Sequence, residues 1–162
     1  MRGLLDEIDA VVASGEWRRR GGALDLLVRL VQRLRSFDNA THRPKGIALF
    51  AALRGREADT DALIGRLEVD CEQRDQLLAG AQAGLKAIQR GESPGVDDPG
   101  TLLARHAALL RRDLDLEDTA LHAESAKLLS PEQWSTIVSS ISTVMSGASS
   151  RKRGSTRHRQ AK

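Results

Sequence analysis

Four side chains that could ligate a metal ion fall on or beside the apolar stripes of segments with helical periodicity. They are His42, Cys71, Asp113 and Asp118. Burying a polar group costs free energy unless a partner satisfies it. A histidine, a thiol and carboxylates that enter a helical core from different helices could therefore bind a metal ion together.

Each of these side chains also has a simpler interpretation. A lone cysteine on an apolar stripe usually packs as a small hydrophobe, which would account for Cys71. His42 lies two residues before Pro44 and could cap a backbone group or face solvent. Asp113 and Asp118 lie in a segment rich in charged residues, which is typical of a solvated helix flank. Spacing alone therefore favours the simpler interpretations over a metal site.

The elements that position these residues are predicted to be helices. Hydrophobic residues make up 40% of the 162 residues and aromatic residues only 2%, and the abundant Leu, Ala, Arg, Glu and Gln all favour helix. Apolar residues recur every three or four positions in segments 2–13, 23–54 (with a kink or restart expected at 39–44), 58–90, 101–128 and from 131 onward. Ser130, Pro131 and Gln133 predict an N-cap, a first helical residue and a capping box. The pattern predicts an all-α fold: an up-and-down antiparallel four-helix bundle with a short fifth C-terminal helix, with another all-helical packing as the alternative.

The charge is unevenly distributed along the chain. Residues 147–162 contain six basic residues and no acid, whereas residues 1–146 contain 19 basic and 22 acidic residues. We therefore predict a helical domain over 1–146 and a basic, disordered tail over 147–162. The tail residues that could contact nucleic acid or another acidic partner are Arg151, Lys152, Arg153, Arg157 and Arg159. A merely solubilising extension is an equally good interpretation of the same residues.

Cysteine usage and hydropathy suggest the compartment. Cys71 is the single cysteine, so an intramolecular disulfide is excluded and a reducing compartment is favoured. Apolar runs are too short to span a bilayer, and the N-terminus lacks the apolar core of a signal peptide. The sequence thus predicts a cytoplasmic protein without membrane contact.

Four stretches, in the same order along the chain, resemble the hemerythrin-like (HHE cation-binding) family over roughly residues 1–145. Segment 41–50 resembles the family's His-His-Pro-Lys-Glu motif and the apolar run that follows it. Segment 67–71 is similar to its third-helix motif, 113–121 to its fourth-helix motif, and 128–134 to the start of its final helix. The resemblance implies a four-helix bundle around a non-haem di-iron centre, in a family that binds oxygen, senses oxygen or redox state, or handles iron.

The resemblance also implies that the di-iron site is largely lost or altered. Gly46 stands where the family has a glutamate, Cys71 where it has the third-helix histidine, and Asp113 where it has the fourth-helix histidine. The first-helix histidine would fall before Met1. His42 and Asp118 remain by type, so a bundle without bound cofactor is expected rather than one that keeps iron.

Two functions follow from these observations. The first is a non-enzymatic, hemerythrin-like bundle whose metal-binding or sensing ancestry survives mainly in its fold. The alternative is a metal-free helical interaction module whose basic tail contacts nucleic acid or another acidic partner. An enzyme is disfavoured because the sequence contains neither a Gly-rich phosphate loop nor a close pair of nucleophile and base.

Overall fold

The computed structural model describes residues 1–139, which are helices joined by turns, without a β-strand among them. The helices in chain order are α1 (Arg2–Ser14), α2 (Gly22–Phe37), α3 (Arg43–Leu53), α4 (Ala58–Arg90), α5 (Pro99–Leu116), α6 (His122–Leu128) and α7, which is described over 131–139. The predicted all-α class is confirmed. The predicted domain boundary at 146 and the basic tail lie outside the described residues.

Capping residues mark where several of the helices begin or end. α4 stops at Gly91, whose φ of 79° is readily adopted only by glycine. α5 begins after Asp98, whose side chain caps the helix by accepting a backbone hydrogen bond. The predicted capping box is confirmed: the Ser130 amide donates to Gln133 Oε1 at 2.9 Å, and the Gln133 amide lies 3.3 Å from Ser130 Oγ.

Two π-helical turns join helices into longer continuous runs. Asp38–His42 connects α2 to α3, and Glu117–Leu121 connects α5 to α6. The break expected around Pro44 is absorbed by the first of these turns. Proline lacks an N–H and its ring displaces the carbonyl of the preceding turn, and a wider turn just before α3 accommodates both effects. Turns of this kind occur frequently at functional sites.

The helices bury two separate hydrophobic clusters. The first core combines α1, α2, the second half of α4 and α5, and it includes the fully buried Trp17 and Leu27. The second core combines α3, the first half of α4, α6 and α7, with Leu53 and Ile64 fully buried. α4 packs along α5 and also contacts α2 and α3, while α1 packs against α2 and α5.

A polar layer separates the two cores. Along α4, residues of the second core come first, then Asp70 and Arg74, then residues of the first core. Along the runs from α2 to α3 and from α5 to α6, residues of the first core come before the polar residues and residues of the second core come after them. The polar layer consists of Asp38, His42, Arg43, Asp70, Arg74, His106, Arg112, Asp113 and Glu117. Both π-helical turns contribute to it, so the irregular helix geometry coincides with partly buried charges.

Within residues 1–139, no helix combines the length and the hydropathy needed to cross a membrane.

Candidate functional site

His42 is held between two carboxylates at the centre of the polar layer. Its Nδ1 lies 3.0 Å from Asp38 Oδ1 and its Nε2 lies 3.0 Å from Glu117 Oε2. The hydrogen bonds to Asp38 and Glu117 outweigh the effect of burial and raise the pKa of His42 to about 9. At neutral pH the ring is therefore an imidazolium that donates from both nitrogens, one to each π-helical turn.

Arg43 extends this chain of ion pairs to α4. Its Nη2 donates to Asp38 at 3.2 Å, and its two terminal nitrogens bind Asp75 in a bidentate manner at 2.7 and 2.9 Å. Burial alone would raise the pKa of Asp38, but the hydrogen bond from His42 reverses this effect and the pKa is lowered. Asp38 is therefore a carboxylate with two cationic partners.

A second ion pair lies deeper, between α4 and α5. Arg74 Nε is 3.1 Å from Asp113 Oδ2, and the two side chains are only 7% and 1% exposed. Neither carboxylate oxygen of Asp113 has a hydrogen bond within the described part of the chain. Burial raises the pKa of Asp113 despite the nearby charge of Arg74. Beside this pair, Arg112 donates a hydrogen bond to Asp70.

The polar layer is balanced in formal charge. Four cationic side chains, His42⁺ and three arginines, face four carboxylates. The remaining member, His106, is 5% exposed, and burial lowers its pKa to about 4, so that it is neutral at pH 7. Buried charges are tolerated only when they are paired, and here arginine and imidazolium supply the positive charge.

A cleft of about 820 Å³ opens between α3 and α4 beside the polar layer. Ile47, Phe50 and Leu67 form apolar parts of its wall, and His42 and Glu117 also line it. Gly46 contributes no side chain: a Cβ there would meet only the Phe50 ring, at 3.8 Å. The missing side chain at this position leaves part of the cleft open.

The four residues predicted to ligate a metal fall into different environments. His42 and the half-buried Cys71 line the same cleft, whereas Asp113 is buried against Arg74. The side chain of Asp118 is 72% exposed and pairs with Arg2 at 3.1 Å. Among residues 1–139, no group of three or more His, Cys, Asp or Glu side chains is arranged to hold a metal ion.

Cys71 belongs to neither hydrophobic core, although it lies on an apolar stripe, because it is half-buried and lines the cleft. Burial raises the pKa of its thiol, while the positive charges of Arg43 and Arg74 act in the opposite direction. The thiol is thus favoured over the reactive thiolate at neutral pH.

The sequence reasoning missed the arginines of the polar layer. Arg43, Arg74 and Arg112 were not singled out because arginine on a helix is usually exposed. An acid four residues before a base lies on the same helix face, and at Asp38–His42 this spacing marks an ion pair that forms. At Asp70–Arg74 it does not, because Asp70 pairs with Arg112 and Arg74 with Asp113.

The basic residues proposed to contact an acidic partner, from Arg151 to Arg159, lie outside the described residues.

Comparison with known proteins returns no relative: no protein-family model, no curated protein and no solved structure matches this chain significantly.

Proposed function

We propose that this chain is a non-enzymatic, hemerythrin-like four-helix bundle in which a layer of ion pairs takes the place of a di-iron centre. The observation that carries the proposal is the coincidence of three features at one level of the fold. These are the segments that resemble the family's second- and fourth-helix motifs, the two π-helical turns, and the buried or partly buried, charge-balanced side chains.

The packing of the helices supports an up-and-down bundle. α1, the run from α2 to α3, α4, and the run from α5 to α6 make four helical rods, and the turns between them are short. Short connections favour antiparallel neighbours. Because α1 contributes only to the first core and α7 only to the second, we infer that these two short helices share the place of one full-length rod.

The donor set argues against iron. A di-iron site needs carboxylates and neutral imidazoles that are free to ligate, but the Asp38 and Glu117 carboxylates are occupied by His42⁺. The Arg74 guanidinium pairs with Asp113 and would repel a metal cation at close range. These residues do not fit a di-iron group, and we infer a binding or sensing role that does not depend on one.

The test is metal content under conditions that favour loading. The full chain would be produced without a metal-affinity tag in iron-supplemented medium and measured by elemental analysis and thermal unfolding, with and without anaerobic Fe²⁺. We expect iron far below one atom per chain and no shift of Tm on adding Fe²⁺. His42→Ala should leave the iron content unchanged, as should the control His122→Ala at an exposed residue. Stoichiometric iron that His42→Ala removes and His122→Ala retains would overturn the proposal.

The alternative function, an interaction module that acts through its tail, is favoured by the segregation of charge. Six bases without an acid in 147–162 follow a segment of net charge about −3. If this function operates, deleting residues 148–162 should abolish binding to duplex DNA, and the affinity of the full chain should fall steeply with salt. In the control, the five basic tail residues are replaced with glutamine and the length of the tail is kept: Arg151, Lys152, Arg153, Arg157 and Arg159. DNA binding that survives both changes would refute this alternative.

A further inference from the structure

The cleft between α3 and α4 has the size and composition of a small-molecule site. Its volume of about 820 Å³ is within the range of roughly 300–1,000 Å³ found for ligand pockets. Ile47 is 63% exposed although it is a large apolar residue, and Phe50 and Leu67 also line the cleft. Apolar walls with a few polar groups at one place are typical of a pocket for an organic ligand.

Arg74 distinguishes this cleft from a merely apolar groove. The residue is 6% exposed and lines the cleft. Its ion-pair partner within the described residues is Asp113, whose Oδ2 lies 3.1 Å from Arg74 Nε, and neither Nε nor a terminal nitrogen of Arg74 donates a hydrogen bond there. A guanidinium can donate five hydrogen bonds and its outer edge matches a carboxylate. Arg74 thus lines the cleft with donors that have no hydrogen bond within the described residues.

The other charges that line the cleft largely neutralise one another. His42 pairs with Asp38 and Glu117, and Arg54 pairs with Glu68. Arg43 is likewise bound to Asp38 and Asp75, and Glu72 is exposed. Among the cations that line the cleft, Arg74 is the one without a hydrogen bond in the part of the chain that the structure describes.

We propose that this cleft binds a small amphipathic organic anion, with a carboxylate on the terminal nitrogens of Arg74 and an apolar body against Ile47, Phe50 and Leu67. A bidentate pair between guanidinium and carboxylate supplies orientation, and the apolar walls supply most of the buried area. The proposal does not depend on the hemerythrin-like kinship or on the fate of iron, because it uses only side chains of α3 and α4.

The experiment measures binding of decanoate, decanol and decylammonium to the full chain by isothermal titration calorimetry, below the concentration at which each probe forms micelles. We expect decanoate to bind at least tenfold more tightly than decylammonium. Arg74→Gln should weaken decanoate about tenfold, as expected for the loss of a charged hydrogen-bond partner, and should leave decanol nearly unchanged.

A second variant tests the cleft without disturbing the polar layer. Gly46→Leu places a side chain in the cleft, where a Cβ meets only Phe50, and should abolish decanoate binding while helix propensity raises Tm. The matched control is Gly65→Leu on α4, where a Cβ has open space and which does not line the cleft. It should raise Tm similarly and bind decanoate normally.

Three outcomes would overturn the proposal. One is the absence of decanoate binding at millimolar concentration, and another is equal affinity for decanoate and decylammonium. The third is decanoate binding that either Gly46→Leu or Arg74→Gln leaves intact.

Discussion

The His42 imidazolium should make the free energy of unfolding depend on pH in a way that replacing this one side chain removes. In the folded chain the ring lies between Asp38 and Glu117, with its side chain 16% exposed and its pKa raised from 6.5 to about 9. In the unfolded chain the pKa returns to its ordinary value. The folded state therefore binds the proton more tightly, and protonation stabilises it.

The magnitude follows from the two pKa values. At about 1.4 kcal/mol per pKa unit, raising the pKa from 6.5 to about 9 corresponds to about 3 kcal/mol of stability. This contribution is fully present below pH 6.5, because both states are then protonated. It declines as the pH rises from 6.5 to about 9 and is lost above that pH, where the folded state also releases the proton.

The assay is urea unfolding followed by circular dichroism at pH values from 6 to 10, on the natural chain and on His42→Gln. The unfolding free energy of the natural chain minus that of His42→Gln should fall by about 3 kcal/mol from pH 6 to pH 10. His122→Gln, at an exposed histidine, serves as the control and should show a nearly constant difference. A difference for His42→Gln that stays flat, or that grows with pH, would refute the interpretation of His42 as a buried imidazolium.

Three further predictions concern the cores, a helix cap and the deeper ion pair, all measured by urea unfolding. Leu27→Ala should cost about 3–5 kcal/mol, because Leu27 is fully buried in the first core; a loss below 1 kcal/mol would contradict the packing. Asp98→Ala removes the N-cap of α5 and should cost about 1 kcal/mol, whereas Asp97→Ala at its exposed neighbour should cost almost nothing. Arg74→Met and Asp113→Leu should each cost about 3–5 kcal/mol by removing one partner of a buried ion pair, and the double variant should recover most of that loss. Additive losses would show that the two side chains do not form a pair.

The helices were predictable because their signals are local. The apolar repeat of α4 over 58–90 coincides with Ala58–Arg90, and the capping box at Ser130 and Gln133 forms as predicted. A kink or restart was predicted over 39–44, which overlaps the π-helical turn Asp38–His42, but the turn Glu117–Leu121 was not predicted. A π-helical turn holds an extra residue and therefore shifts the phase of the helix, which the residue types alone do not reveal.

That phase shift explains what was missed at the candidate site. Sequence reasoning retained Asp118 as a remaining ligand, yet Glu117 reaches His42 while Asp118 pairs with Arg2 at the surface. Within a π-helical turn, which of two adjacent carboxylates faces the core depends on geometry that periodicity does not encode. Arg74 was missed for another reason: its burial depends on Asp113 from a different helix, a tertiary contact that one segment of sequence cannot reveal.

The central claim is that a doubly protonated His42, rather than a metal ion, links the two π-helical turns. It is tested most directly by the ¹⁵N resonances of the imidazole ring at pH 7, in protein produced with iron in the medium. We expect both ring nitrogens of His42 to carry protons and both N–H signals to be protected from exchange with water. A ring nitrogen without a proton, or signals broadened by a bound paramagnetic ion, would contradict the claim.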